Sequence, residues 1–213
     1  MRKLLLAIGL ACLPLSPALG EEGRAGSFDY YILSLGWSPS WCATTSDARD
    51  ATECRPHQGK GFTLHGLWPQ YEQGWPSDCR SAVREATRAE TAAMTDLMGS
   101  AGLAWHEWKK HGRCSGLPAA DYFALARRAY GTVTLPPLLA HLSKDIRLPA
   151  SLVEKAFLDA NPRLAPDMLT ITCEEGRIAE VRLCLRRDLT PRSCGGDALR
   201  DCRAPSALME KRR

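Results

Sequence analysis

Beyond its first 20 residues, the 213-residue chain lacks any apolar run long enough to cross a bilayer, so we expect no transmembrane helix. It also lacks a strong excess of charge, because 28 basic residues stand against 24 acidic ones. Proteins that bind nucleic acid through phosphate neutralisation alone are normally far more basic. There is no internal repeat and no low-complexity linker, and one domain accounts for the length. Any nucleic-acid function must therefore come from a local site.

The first 20 residues have the three parts of a secretory signal. Two basic residues follow the initial Met, residues 4–15 form an apolar stretch too short to span a bilayer, and the segment ends on small residues. We expect a signal peptide over 1–20, which leaves residues 21–213 as the exported domain, either periplasmic or secreted. A lipid anchor on Cys12 is the alternative.

Eight cysteines follow the predicted signal peptide, and no two of them have C-x-x-C spacing. An even number in an exported chain predicts disulfides rather than free thiols, and the spacing disfavours a zinc site. These residues are Cys42, Cys54, Cys79, Cys114, Cys173, Cys184, Cys194 and Cys202.

Hydrophobic patterning predicts strands and helices in separate groups. Strand-like runs occupy residues 28–35, 62–67, 168–173 and 178–185, and a Glu-Glu-Gly-Arg turn makes the last two a hairpin. Helices are predicted over 80–98, 119–130 and 137–142, and from a capping box at Ser151 to Asn161. This grouping favours an α+β fold, with an antiparallel central sheet and helices packed around it.

Three of the five histidines lie in two short segments rich in tryptophan. These segments are FTLHGLWPQ at residues 62–70 and WHEWKKHGRC at residues 105–114. The other two histidines, His57 and His141, stand alone, and we expect surface or structural roles for them.

The second segment begins with His-Glu, which first suggests a zinc hydrolase. A zinc peptidase helix needs its histidines four residues apart, whereas His106 and His111 are five apart and point in different directions. Helical spacing instead places Glu107 beside His111 and His106 beside Lys110. Such a group of charges suits a phosphate. Histidine can also serve as acid and base near neutral pH, which metal-free RNA cleavage requires.

The two segments resemble the two active-site motifs of the ribonuclease T2 family. The first motif is matched from Phe62 to Pro69 and the second from His106 to Cys114, and a weaker likeness extends over nearly all of residues 21–213. The resemblance implies an endoribonuclease that cuts single-stranded RNA through a 2',3'-cyclic phosphate to 3'-phosphate ends. It implies no metal and no organic cofactor. We expect a monomer with no membrane partner.

The resemblance also implies roles for individual residues. His65 would be the general acid and His111 the general base in the transfer step, and the two would exchange roles when the cyclic phosphate is hydrolysed. His106 would bind phosphate, while Glu107 and Lys110 would stabilise the transition state.

Base binding is implied for residues in and after the first motif. Trp68 would stack on the base 5' to the cut, unless it is a core residue, and Gln70 with Tyr71 or Trp75 would contact the same base. Gln70 replaces an acidic residue of many relatives, and Gly36 replaces a glutamine, so we expect low base specificity.

The expected disulfides are Cys42 with Cys54, Cys79 with Cys114, Cys173 with Cys202, and Cys184 with Cys194. A noncatalytic RNA binder on the same scaffold and a zinc hydrolase are the competing hypotheses, and cleavage in the presence of a chelator distinguishes them.

Overall fold

A computed structural model of the protein describes residues 21–45, 52–55 and 59–212. The predicted signal peptide, Cys12 and His57 lie outside the described residues. Strands within these ranges are β1 (Glu21–Arg24), β2 (Tyr30–Trp37), β3 (Phe62–Gln70), β4 (Pro76–Arg80), β5 (Ile146–Leu148), β6 (Leu169–Glu174), β7 (Arg177–Leu185) and β8 (Ala207–Met209). Helices are α1 (Ser38–Thr44), α2 (Arg88–Ala92), α3 (Thr95–Met98), α4 (Ala101–Lys110), α5 (Ala119–Gly131), α6 (Pro137–Ala140) and α7 (Ala150–Ala160).

The central sheet has the strand order β3-β2-β7-β8-β5, and β6 also pairs with β7. Its pairings are antiparallel except for a parallel contact between β7 and β8. A separate parallel pair joins β1 and β4, which the sequence patterns did not predict. The α+β class is confirmed, and the sheet is mainly antiparallel, as expected. No helix in the described part of the chain has the length and apolar character to span a bilayer.

Alternate residues of β2 divide the buried side chains into two clusters. Leu33, Leu35 and Trp37 belong to a large core that includes buried residues of α4, α5 and α7. Successive residues of a strand point to opposite faces, so Tyr30 and Ile32 face the other way. They form a smaller cluster with Trp68 and Cys184. The sheet therefore has one face covered by helices and a second face on which a site can form.

A bulge in β3 brings His65 to this second face. The consecutive residues Ser34 and Leu35 of β2 pair with Gly66 and Leu64 of β3. His65 therefore has no partner residue in β2 and is the extra residue of the bulge. Strict alternation from the buried Leu67 would point His65 into the core. The bulge lets Leu64 and Leu67 both remain fully buried while His65 faces outwards, and bulges are common beside active sites for this reason.

The prediction of one helix over residues 80–98 is wrong, because its first half is not helical and its second half forms two short helices, α2 and α3. Residues 81–87 have no regular structure, and α2 begins only at Arg88, because Thr87 and Glu90 form a capping box. Within the preceding segment, the Glu85 carboxylate accepts a hydrogen bond from the indole N–H of Trp108 at 2.9 Å. This long-range contact favours an extended segment over the helix that composition alone predicts.

The capping box predicted at Ser151 is also wrong, because α7 begins one residue earlier, after Pro149, and has no side-chain cap. Pro149 precedes the first helical residue in an extended conformation, with φ −62° and ψ 142°. The end of α7 before Asn161, the helix α5 and the β6–β7 hairpin agree with the predictions.

The four disulfides join the expected pairs, Cys42–Cys54, Cys79–Cys114, Cys173–Cys202 and Cys184–Cys194. The second of them links β4 to the turn that directly follows α4. It therefore fixes the end of the helix that carries the second histidine motif.

Candidate active site

The His65 ring lies between two carboxylates from different elements. Its Nδ1 is hydrogen-bonded to Oε1 of Glu180 on β7, and its Nε2 lies 3.5 Å from Oε1 of Glu107 on α4. Burial disfavours the charged ring, but the hydrogen bond with Glu180 and the negative charges of Glu180 and Glu107 outweigh it. Together they raise the pKa of His65. The ring therefore retains its proton more readily than an ordinary histidine.

Glu107 connects the two histidine motifs. It is only 2% exposed, and its Oε2 accepts a hydrogen bond of 2.6 Å from the indole N–H of Trp68. Burial raises the pKa of Glu107, while His65, the Trp68 hydrogen bond and Lys110 act in the opposite direction. The helix and the edge strand β3 are thus joined through one buried carboxylate.

Gly66 leaves the space in which this contact forms. A Cβ atom at Gly66 would overlap both the indole nitrogen of Trp68 and the carboxylate of Glu107. Any other residue at this position would force the two groups apart.

His111 occupies a very different environment from His65. It follows α4 directly, it is 6% exposed, and its Nδ1 has no hydrogen-bond partner among the described residues. Burial, followed by the positive charges of Lys110, His65 and His106, lowers the pKa of His111 to about 3. This ring is therefore neutral over most of the pH range.

Both rings lie against Trp68. The ring centroid of Trp68 is 5.2 Å from that of His65 and 5.2 Å from that of His111. The guanidinium of Arg182 lies over the same indole, 5.1 Å from its centroid. A histidine with a raised pKa and a histidine with a lowered pKa thus share one neighbour, which is the pattern of an acid and base pair.

His106 and Lys110 lie on the exposed side of α4, next to the buried Glu107. Burial, with the charges of Lys110 and His65, lowers the pKa of His106. The helix therefore presents Glu107 to the interior of the site and two further basic groups to solvent.

Two of the residues predicted to bind a base are largely buried. Trp68 is 9% exposed, and it belongs to the smaller buried cluster. Gln70 is buried, and its amide donates to the carbonyl of Pro69 at 3.0 Å. Tyr71 and Trp75 are half-buried. The base-binding roles of these residues remain predictions.

Comparison with known proteins decides the family of the chain. Residues 28–194 match the Ribonuclease T2 family. The chain belongs to the ribonuclease T2 family. This T2-family chain is 44% identical over 128 residues to a ribonuclease of Aeromonas hydrophila, a match that covers 59% of this chain and 56% of that protein. It is 33% identical over 123 residues to Ribonuclease 3 of Arabidopsis thaliana, which covers 48% of this chain and 51% of the relative. The matches span about half the length of these curated relatives.

Solved structures share the T2 fold of this chain. An RNase-related protein from Calystegia sepium superposes with a TM-score of 0.68 at 20% identity, covering 87% of this chain and 98% of the other. RNase NT, solved in complex with 5'-AMP, superposes with a TM-score of 0.64 at 23% identity and the same coverage of each chain. At these identities the likeness concerns the fold alone.

Sequence patterns missed two residues of the candidate site, Glu180 and Arg182. Both oxygens of the Glu180 carboxylate are used, because Oε1 bonds His65 and Oε2 accepts from Nε of Arg182 at 2.8 Å. Charged residues two apart in an otherwise apolar strand share one face, and this signal was available in the sequence. No group of three or more potential metal-ligating side chains is brought together within residues 21–45, 52–55 and 59–212.

Proposed function

We propose that residues 21–213 form an endoribonuclease that cleaves single-stranded RNA by attack of the 2'-hydroxyl. The reaction runs through a 2',3'-cyclic phosphate to 3'-phosphate ends, with low base specificity and with no metal or organic cofactor. The opposite pKa shifts of His65 and His111 around one tryptophan carry this proposal. A protonated acid beside a neutral base is the combination that the two proton transfers need.

The transfer step uses both histidines. His111, neutral because of its burial, takes the proton of the 2'-hydroxyl, and that oxygen attacks the phosphorus. His65 donates the proton on Nε2 to the 5'-oxygen as the bond between phosphorus and this oxygen breaks. The products are a 2',3'-cyclic phosphate and a free 5'-hydroxyl. DNA lacks the attacking hydroxyl, so we expect it to be a poor substrate.

Hydrolysis reverses the proton roles. His65, now neutral, takes a proton from water, whose oxygen attacks the cyclic phosphate. His111 returns its proton to the 2'-oxygen as the bond between this oxygen and phosphorus breaks. The product carries a 3'-phosphate, and both histidines regain their starting states.

The negative charge that builds up on the phosphate oxygens during the reaction must also be stabilised. His106 and Lys110 are exposed beside the two histidines, so they are placed to contact the phosphate of a long substrate. Glu107 is close enough to His65 to influence its proton. Fixed charges of this kind stabilise a transition state more strongly in a site from which water is partly excluded.

A cleft of about 560 Å³ adjoins His65. Its wall includes the 40% exposed ring of Trp41, together with Thr63 and Arg177. Since His65 is proposed to protonate the leaving oxygen, this cleft is the space for the nucleotide on the leaving side. An exposed aromatic ring can stack on any base, which fits low specificity.

The proposed location is the periplasm or the external medium, after removal of residues 1–20, with the remainder acting as one monomeric domain. Four disulfides support export, because such bonds persist outside the cytoplasm. Mass spectrometry of the exported protein should give a chain that begins at Glu21, and sedimentation should give a monomer. A lipid-modified Cys12 would contradict this processing.

Histidine variants test the proposed reaction. RNA should be cut in excess EDTA by the wild-type protein, and His65→Ala and His111→Ala should each lose this activity. His141→Ala is the matched control, because this exposed histidine lies outside the site. RNA binding without cleavage would indicate the noncatalytic alternative, and loss of cleavage in EDTA would indicate the zinc hydrolase.

Base preference has its own test. The four homodinucleotides and the mixed dinucleotides should be cut at similar rates, since no described contact singles out one base. A preference of more than about a hundredfold for one base would contradict low specificity.

A further inference from the structure

The Glu180 carboxylate contacts Nδ1 of the His65 ring, whereas Glu107 lies near Nε2 at the opposite edge of the ring. Glu180 is buried, and its hydrogen bond to Nδ1 spans from β7 to β3 with β2 between these strands. The second oxygen is held by Arg182, with 2.6 Å to one terminal nitrogen and 2.8 Å to Nε. The carboxylate is thus fixed at both oxygens, and it fixes the ring in turn.

We propose that Glu180 is a positioning residue for His65, which it holds with Nδ1–H towards β7 and Nε2 towards the scissile phosphate. Arg182 keeps the Glu180 carboxylate in this orientation. The proposal rests on the proposed ribonuclease function, and it assigns a role to a residue outside both histidine motifs.

Proton transfer gives the physical reason for such a residue. The nitrogen that carries the proton in a neutral histidine is set by the hydrogen bond that the other nitrogen makes. When Nε2 has given its proton to the leaving 5'-oxygen, the ring keeps its second proton on Nδ1, bonded to Glu180. The lone pair on Nε2 then faces the site, where it can take a proton from water in the hydrolysis step.

Several charged groups act on this ring besides Glu180. Glu107 also raises the pKa of His65, whereas Arg182 lowers it. His106, His111 and Glu53 interact with the ring through their charges as well. Among these groups only Glu180 is hydrogen-bonded to it. Burial alone would raise the pKa of Glu180, but the hydrogen bond from His65 and the charges of His65 and Arg182 lower this pKa to about 2. The carboxylate is therefore ionised wherever the enzyme works.

Glu180→Gln tests the role with little change in shape. We expect kcat to fall by about tenfold or more, because general acid catalysis contributes about 10²- to 10⁴-fold and depends on a well-placed proton. KM should change by less than about twofold, since both oxygens of the Glu180 carboxylate are bonded to His65 and Arg182 and are not free to bind substrate. The basic limb of the pH profile of kcat should move to lower pH.

The matched control is Glu175→Gln, which removes the same charge from the exposed β6–β7 turn. It should retain the wild-type kcat and pH profile. A Glu180→Gln variant that behaves like this control would overturn the proposal, because Glu180 would then serve only as a partner of Arg182. Wild-type protein that fails to cut RNA would instead refute the proposed function.

Nitrogen NMR of the wild-type protein, labelled in histidine, tests the same idea without catalysis and without any change at Glu180. The neutral ring of His65 should carry its proton on Nδ1. The pKa of His65 should be higher than that of an ordinary histidine. Assignment of its resonances follows from their loss in His65→Ala. A neutral ring protonated on Nε2, or one that exchanges freely between the two forms, would contradict the proposal even if Glu180→Gln could not be prepared.

Discussion

Replacing His111 with glutamine should remove much of the acid sensitivity of the fold. In the folded protein burial and nearby positive charges lower the pKa of His111 to about 3, whereas a histidine in an unfolded chain titrates near 6.5. Between these values the unfolded chain binds a proton that the folded chain does not. The free energy of unfolding therefore decreases as the pH falls through this range. At about 1.36 kcal/mol per pKa unit, a change from about pH 7 to about pH 4 costs roughly 3 kcal/mol through this residue.

Urea unfolding followed by tryptophan fluorescence at both pH values measures this effect. Wild-type protein should lose about 3 kcal/mol more than His111→Gln between the two conditions, since other titrating groups contribute to both proteins and largely cancel. His141→Gln should behave like the wild type. Equal losses in the variant and the wild type would show that His111 is not held neutral, and the assignment of this residue as general base would lose its support.

Three further predictions concern the supports of the site. Gly66→Ala should lower the free energy of unfolding by about 1–3 kcal/mol and reduce kcat/KM, because the new methyl group overlaps two neighbours; unchanged values would contradict the geometry of β3. Trp68→Phe keeps an aromatic ring but loses the hydrogen bond to Glu107, so kcat should fall while the circular dichroism spectrum is retained; a wild-type kcat would show that this bond is dispensable. Replacing both Cys79 and Cys114 with serine should lower the free energy of unfolding by about 2–4 kcal/mol, measured by chemical denaturation. A smaller decrease than in a Cys42/Cys54 double variant would argue against a supporting role for the Cys79–Cys114 disulfide.

Local patterns were sufficient where neighbouring residues determine the structure. The helix α5 and the β6–β7 hairpin follow from composition and turn residues alone, and they appear at nearly the expected positions. The two histidine motifs were recognised because their residues lie close together in the sequence. Helical spacing also placed His106 beside Lys110, and both lie on the exposed side of α4.

Contacts between distant residues explain what the patterns missed. The segment before Arg88 has the composition of a helix, yet Glu85 accepts a hydrogen bond from Trp108, and the helix starts later. The bulge at His65 cannot be inferred from alternation, because it depends on the register between β3 and β2. Glu180 is separated from His65 by 115 positions, so only the folded sheet reveals their contact.

The most direct test of the account is the chemistry of the product ends. RNA digested by the wild-type protein in excess EDTA should first accumulate 2',3'-cyclic phosphate ends, which are then converted to 3'-phosphate ends, each opposite a free 5'-hydroxyl. Mass spectrometry of a short defined oligonucleotide over a time course resolves these species. Products with 5'-phosphate ends, or cleavage that stops when the chelator is added, would contradict the proposed roles of His65 and His111.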